Sequence, residues 1–589
     1  MKLSFAFSLV LICCSHAFSI SERAKPNSTY YNPVLPGWHS DPSCVQVQGT
    51  FYCVTSTFIA FPGLPIYASK DLINWKLVSH VWNRESQLPG LSQNTTGQQH
   101  GMYAATLRYH DGQFYAICEY LGMTYGTVGV LFKTRNIFSN KAWSDPVIFH
   151  PTKIDPDIFW DNGKVYSATQ TIILQELDIT TGALSEPPMG LWNGTGGVWP
   201  EGPHIYKKDG YYYLLIAEGG TATDHAVTIA RSTKITGPYE AYNHNPILSN
   251  RGTNQYFQTV GHADLFQDVQ GNWWGMCLST RSGPEYKVYP MGRETSLFPV
   301  TWRKGEWPIL EPVRGKMSGW PLPPKSRDLP GDGPFNGDPD AYDFSAGSPI
   351  PANFMFWRVP RAGIFRTTDD GLRIVPSRNN LTGIPLSIEH PELTGQKGLS
   401  FVGRRQTDTT FSFSVDLTFN PKTVNQEAGI TVFLTQLNHI DLGVVFLASN
   451  SSSKHQLSIR FRAIGTIAAP APRVVAVPTS WIGKPIRLEI RATNSSSYDL
   501  TAASVSDTKT RISLGSASAA LVSGGSGSFV GSLLGTYATC NGEGTAGSLD
   551  CPTGGNAYFQ RWRYLGSSQQ ISATESIQSI TATDSGLSN

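Results

Sequence analysis

The chain has 589 residues, too many for one hydrophobic core, so two or more domains are expected. A formal net charge of +2, with 15% charged residues, gives no basis for contact with nucleic acid or with an anionic membrane. Aromatics at 11%, with 57 Gly and 39 Pro, exclude a helical or disordered chain and describe an all-β, turn-rich one.

Residues 1–19 combine Lys2, an apolar run over 3–14 and Ser15-His16-Ala17, the pattern of a secretory signal peptide. No other apolar run is long enough to cross a bilayer, so an extracellular protein without a membrane segment is expected. Six Asn-x-Ser/Thr sequons, at Asn27, Asn94, Asn193, Asn380, Asn450 and Asn494, fit an exported glycoprotein. Of the eight cysteines, Cys13 and Cys14 leave with the signal.

Residues 20–325 carry a repeated hairpin signature, a polar-Gly turn followed by an aromatic strand. It reads Gln48-Gly49-Thr50-Phe51-Tyr52, Asp111-Gly112-Gln113-Phe114-Tyr115, Asn162-Gly163-Lys164-Val165-Tyr166, Asp209-Gly210-Tyr211-Tyr212 and Gln270-Gly271-Asn272-Trp273-Trp274. Irregular spacing favours a five-bladed β-propeller over a solenoid, because propeller rim loops can lengthen without unstacking the blades. Eight or nine residues before each turn glycine stand Asp41, Ala104, Asp155, Glu201 and His262. Inner strands of a propeller line one channel, so these positions are expected to form a ring at its mouth.

The first hairpin also fixes a cysteine register. A two-residue turn at Gln48-Gly49 pairs 47 with 50 and sets Cys44 opposite Cys53, as a disulfide or as two packed thiols. Cys540 and Cys551 flank a Gly-rich loop and are expected to be bonded. Cys118 and Cys277 fall in apolar strands and read as buried thiols, and nothing has metal-binding Cys spacing. The stretch Phe58-Ile59-Ala60-Phe61-Pro62-Gly63-Leu64-Pro65 suits a pocket rim or buried packing.

Residues 326–351, rich in Pro, Gly and Asp, read as an inter-domain linker. Residues 352–566 alternate like strands, without the hairpin repeat, and read as a β-sandwich of the concanavalin/jelly-roll type. The Ser/Thr-rich tail 567–589 is expected to be disordered.

Three carboxyl side chains at one channel mouth suit acid–base hydrolysis of a glycoside, where one carboxyl protonates the leaving oxygen and another activates water or attacks carbon. A third acid would raise its neighbour's pKa by like-charge repulsion.

Several segments resemble glycoside hydrolase family 43: Gly37-Trp38-His39-Ser40-Asp41-Pro42, Ile154-Asp155-Pro156-Asp157, Trp199-Pro200-Glu201-Gly202-Pro203, Thr259-Val260-Gly261-His262 and Gly292-Arg293-Glu294-Thr295. The chain as a whole resembles fungal secreted members of that family. The resemblance implies Asp41 as general base, Glu201 as general acid and Asp155 as pKa modulator and orienter. It implies inversion, with base and acid about 6.5–9.5 Å apart. It makes Arg293, Tyr103 and His262 substrate-binding residues. Tyr103-Ala104-Ala105 stands where many relatives have Trp-Ala-Pro. No cofactor is required; an optional structural calcium would sit at His262, bound mostly through water.

The resulting expectation is a monomer that releases terminal α-L-arabinofuranosyl residues from a plant cell-wall polysaccharide, arabinoxylan or arabinan. A β-D-xylosidase acting on xylooligosaccharides is the alternative. A retaining fructosidase is disfavoured because Glu201 is followed by Gly202 and no Arg-Asp-Pro occurs. A non-catalytic sugar-binding propeller is disfavoured because none of the three acids is lost.

Overall fold

The computed structural model describes residues 27–579 except 91–94, 96–98, 123–125, 384–398, 449–454 and 546–547. The signal-peptide reading and the sequons at Asn94 and Asn450 lie outside the described residues.

The first half is a five-bladed propeller. Its inner strands are Ser43–Val47, Gly101–His110, Asp157–Asp161, Glu201–Lys208 and Phe257–Gln267, and they touch one another in a closed ring. Each opens an antiparallel sheet of four or five strands. Four of the five hairpin turns behave as the sequence indicates. Val47 pairs with Thr50, His110 with Gln113, Asp161 with Lys164 and Lys208 with Tyr211. Both turn residues have positive φ in each, the backbone that matches right-handed strand twist. In the fifth, Gln267 pairs with Trp273 across a wider loop, where the Asp268 carboxylate accepts from the Gln270 and Asn272 amides.

Cys44 faces Cys53 in the ladder, and the two are joined by a disulfide with Cα atoms 4.2 Å apart. Cys540 and Cys551 form a second disulfide, and Cys118 and Cys277 are buried free thiols.

The second half is a sandwich of two large antiparallel sheets around an aromatic core that includes Phe401, Phe413, Phe433, Trp562 and Tyr564. The domains interpenetrate. Ala60–Phe61, from blade one, adds an edge strand to the sandwich by pairing with Met355–Trp357. Trp38, Phe58 and Ile59 belong to the sandwich core rather than to the propeller's.

Two boundaries differ from the sequence reading. The 326–351 stretch is not a free linker. Asp340–Tyr342 pairs with Ala557–Gln570, while Leu329 and Phe335 pack on blades one and two. Its Pro and Gly residues shape a packed crossing. The tail is ordered as far as residue 579. Ala557–Gln570 continues through Ser568, Ser576–Gln578 pairs back on it, and Ile571 is buried. The tail's lack of bulky apolar residues misled because polar partners hold it. Gln569 donates to Asp408 at 2.9 Å and accepts from Arg281 of the propeller at 2.8 Å. Residues 580–589 lie outside the described residues.

Candidate active site

The inner strands do not enter the channel mouth as regular ladders. Asp41, Ala104, Asp155 and His262 have φ of +51°, +51°, +59° and +48°. In the fourth blade the equivalent left-handed residue is Gly202, at +56°, so Glu201 stands one place before it. Ladder shifts occur at the same place between Tyr103 and Thr106, Glu201 and His204, and Gly261 and Asp264. A left-handed residue in a bulge re-aims its side chain, and non-glycine residues adopt it at a cost. The offset also explains why Asp41 and Asp155 are buried while Glu201 is partly exposed.

These residues converge. Asp41, Tyr103, Ala104, Asp155, Glu201, His262 and Arg293 line one cavity of about 500 Å³, room enough for a sugar with water. Asp41 Oδ2 accepts from the Ser56 hydroxyl at 2.7 Å, and Oδ1 pairs with Arg293 Nη1 at 3.2 Å. Asp155 Oδ2 accepts from the Gly202 amide at 3.1 Å. Glu201 Oε2 accepts from Gln170 Nε2 at 3.1 Å.

Burial is the main reason the Glu201 carboxyl is raised to about 7; Arg293 and Gln170 oppose it, and Asp41 adds to it. Asp155 is pushed well above the carboxylate range by burial, then by Glu201 and Asp41. The repulsion expected to raise Glu201 thus falls more on Asp155. Loss of water comes first at both carboxyls.

Arg293 spans two bonds, Asp41 and the Thr221 carbonyl (3.1 Å), and its guanidinium lies 4.3 Å from the Phe529 ring centre. Its Nε is buried without a partner among the described residues. Tyr103 stacks on Phe58 at 5.3 Å, and Phe58 on Phe529 at 6.3 Å. Phe58 therefore serves as both cavity wall and buried core, the two alternatives the sequence left open.

His262 lies against Gly202, where an added Cβ would stand 2.9 Å from the ring, so only glycine fits beside the acid. Burial holds this histidine low, at about 4. Its neighbours include Asp264 and His204. Arg108 donates to Asp264 at 2.7 Å and to His204 Nδ1 at 2.9 Å, and pairs with Asp157 at 3.0 Å. Calcium takes six to eight oxygen ligands. Here the channel carboxylates already face a guanidinium, and no cluster of three or more His, Cys, Asp or Glu among the described residues could hold a metal. A calcium at His262 would therefore take most of its oxygen ligands from water.

Sequence reasoning missed a second ring. Ser56, Glu119 and Gln170 each stand seven residues after a turn glycine, at Gly49, Gly112 and Gly163. Each reaches the next blade. Ser56 Oγ accepts from the Ala104 amide (2.8 Å), Glu119 Oε2 from the Asp155 amide (3.0 Å), and Gln170 donates to Glu201. Counting forward from each glycine, as well as back, is the signal that finds them. Phe529 left no such signal. It arrives from the sandwich on a loop pressed against the Arg293 turn, where an added Cβ on Gly292 would stand 2.2 Å from the Val530 carbonyl oxygen.

Carboxyl groups from three blades around a sugar-sized cavity, one of them holding its proton near neutral pH, define a glycoside hydrolase. Residues 30–308 match the family described as glycosyl hydrolases family 43, and residues 341–564 match the beta xylosidase C-terminal concanavalin A-like domain. Non-reducing end alpha-L-arabinofuranosidase BoGH43B of Bacteroides ovatus is 35% identical over 93% of this chain and 98% of its own. A xylosidase/arabinosidase of Butyrivibrio fibrisolvens is 34% identical over 70% of this chain and 79% of its own. The solved structure titled Bacteroides ovatus Xyloglucan PUL GH43B superposes with a TM-score of 0.76 at 32% identity, covering 91% of this chain and 99% of that one. The chain belongs to glycosyl hydrolase family 43 and is a glycosidase.

Proposed function

We propose that the protein is an exo-acting, inverting α-L-arabinofuranosidase that removes terminal arabinofuranosyl residues from arabinoxylan or arabinan. The observation that carries this is the meeting of Asp41, Asp155 and Glu201 on one cavity, with Glu201 raised to about 7. Glu201 gives its proton to the leaving glycosidic oxygen. Asp41, steadied by Ser56 and Arg293, takes a proton from the water that attacks the anomeric carbon from the opposite side. Asp155 holds the Glu201–Gly202 peptide through the Gly202 amide. The unpartnered Arg293 Nε is a donor for a sugar hydroxyl, and Tyr103 and His262 wall the site.

The arabinose preference is supported by the relative named for that activity, which matches nearly end to end. Release of xylose is the second reading, favoured by relatives named xylosidase/arabinosidase. Kinetics on aryl α-L-arabinofuranoside and aryl β-D-xyloside test the choice; faster turnover of the xyloside overturns the first reading. NMR of the first-formed anomer tests inversion. We also propose that the protein works outside the cell, a reading supported by two disulfides, which form in oxidising compartments.

A further inference from the structure

Trp199 is 60% exposed and belongs to none of the packed cores. Its φ is +52°, a left-handed backbone that a bulky side chain occupies only under constraint. The constraint comes from both sides. The Val198 carbonyl accepts from the Gly219 and Gly220 amides at 2.9 and 3.3 Å, and the Pro200 carbonyl accepts from the Thr171 amide at 2.9 Å. Gly220 stands close by, since an added Cβ there would meet Val198 Cγ2 at 3.4 Å and Trp199 Cε3 at 4.0 Å. The fold thus spends conformational energy and exposes an indole without gaining core packing. Strain of this kind at a site points to function.

The position of the indole says which function. Trp199 lines the same cavity as Asp41, Asp155 and Glu201, two residues before Glu201. An acid that protonates a glycosidic oxygen faces the sugar that departs with that oxygen. The deeper end of the cavity, lined by the buried Asp41 and Arg293, suits the sugar that is released. The leaving sugar therefore lies at the exposed lip, on the Glu201 side. Pyranose rings present flat faces of C–H groups, which pack on an aromatic surface.

We propose that Trp199 is the platform for the leaving-group sugar, a pyranose unit of a polysaccharide main chain whose C–H face lies on the indole while its glycosidic oxygen meets Glu201. This rests on the reading of Glu201 as the acid. It makes Trp199 a specificity-determining residue that favours branches on polysaccharide over small alkyl glycosides.

The test is a ratio. kcat/KM is measured on an arabinosylated xylotriose and on methyl α-L-arabinofuranoside, whose leaving group is too small to reach the indole, for the wild type, Trp199→Ala and Trp199→Phe. The ratio of the two substrates falls about 10-fold or more in Trp199→Ala and returns to within about 3-fold in Trp199→Phe. An unchanged ratio in Trp199→Ala overturns the proposal. If xylose is the sugar released, the same ratio is read on xylotetraose and methyl β-D-xyloside, so an error in the released sugar is seen separately. A calorimetric titration with xylotriose, with Glu201→Gln present in both proteins so that no linkage is cleaved, reads the platform without turnover. Weaker binding to the protein that also carries Trp199→Ala than to the one that keeps Trp199 supports the proposal, and equal binding overturns it.

Discussion

The Asp155 carboxyl accepts a hydrogen bond from the amide of Gly202, at 3.1 Å, and so grips the peptide that carries the Glu201 side chain. Gly202 cannot shift to escape it, because His262 fills the space beside its Cα. Asp155 thus acts on the acid through the backbone. Replacing Asp155 with Ala should lower kcat by about 10²- to 10⁴-fold while the fold is kept. Asp155→Asn retains an acceptor for the Gly202 amide and should lose less. Steady-state kinetics with circular dichroism check this; equal losses in both variants would assign the role to charge alone.

A carboxyl raised from 4.5 to about 7 has consequences for both rate and stability. Glu201 must carry its proton to act, so kcat/KM should decline as pH rises past about 7. The folded state binds this proton more tightly than the unfolded state. The stabilisation linked to it is full below about 4.5 and is lost as pH rises through about 7. Glu201→Gln removes the ionisation. Its melting temperature should gain on the wild type between pH 5 and pH 8, while its activity is lost. A constant difference across that range would mean that folding does not raise the Glu201 carboxyl.

Glu119 is fully buried behind Asp155, with one carboxyl oxygen on the Asp155 amide and the other without a partner among the described residues. Burial, then Asp155, pushes its carboxyl well above the usual range, which favours the neutral form. Glu119→Gln keeps both the acceptor and the neutrality and should retain kcat within about 3-fold. Glu119→Ala frees the left-handed Asp155 backbone and should lower kcat about 10-fold or more with KM little changed. A structural role alone would move melting temperature in both variants and leave the kcat of the folded fraction intact.

What could be read from the residues follows from what repeats. Turn glycines and the aromatics after them recur in every blade, so the propeller, the Cys44–Cys53 pairing and the ring of Asp41, Asp155 and Glu201 could be counted out along the chain. The Glu201 offset from that ring could not, because it arises from a bulge, and a bulge is set by pairing between strands rather than by residue type. Phe529 and the ordered tail were invisible for another reason. Their partners lie across a domain boundary and hundreds of residues away, as with Arg281 and Gln569. Polar contacts of that kind leave no periodicity.

Phe529 makes the sandwich part of the site. Its ring covers the Arg293 guanidinium at 4.3 Å, its carbonyl accepts from Ser40 next to Asp41 at 2.9 Å, and its amide donates to Gln99 at 2.5 Å. Removing the ring keeps those backbone bonds and exposes Arg293 to water, which weakens its hold on a sugar hydroxyl by dielectric screening. A cation–π contact of this kind contributes about 0.5–2 kcal/mol, so Phe529→Ala should raise KM about 3- to 30-fold. The effect on kcat should be smaller, because Asp41 and Glu201 keep their own partners, Ser56 and Gln170. Phe529→Leu restores apolar cover without the π face and should fall between the two. Kinetics of the three proteins on one substrate, with melting curves to show that each is folded, decide it. A Phe529→Ala enzyme with wild-type KM would mean that the sandwich supports the propeller only from outside, through the shared core of Trp38 and Phe58.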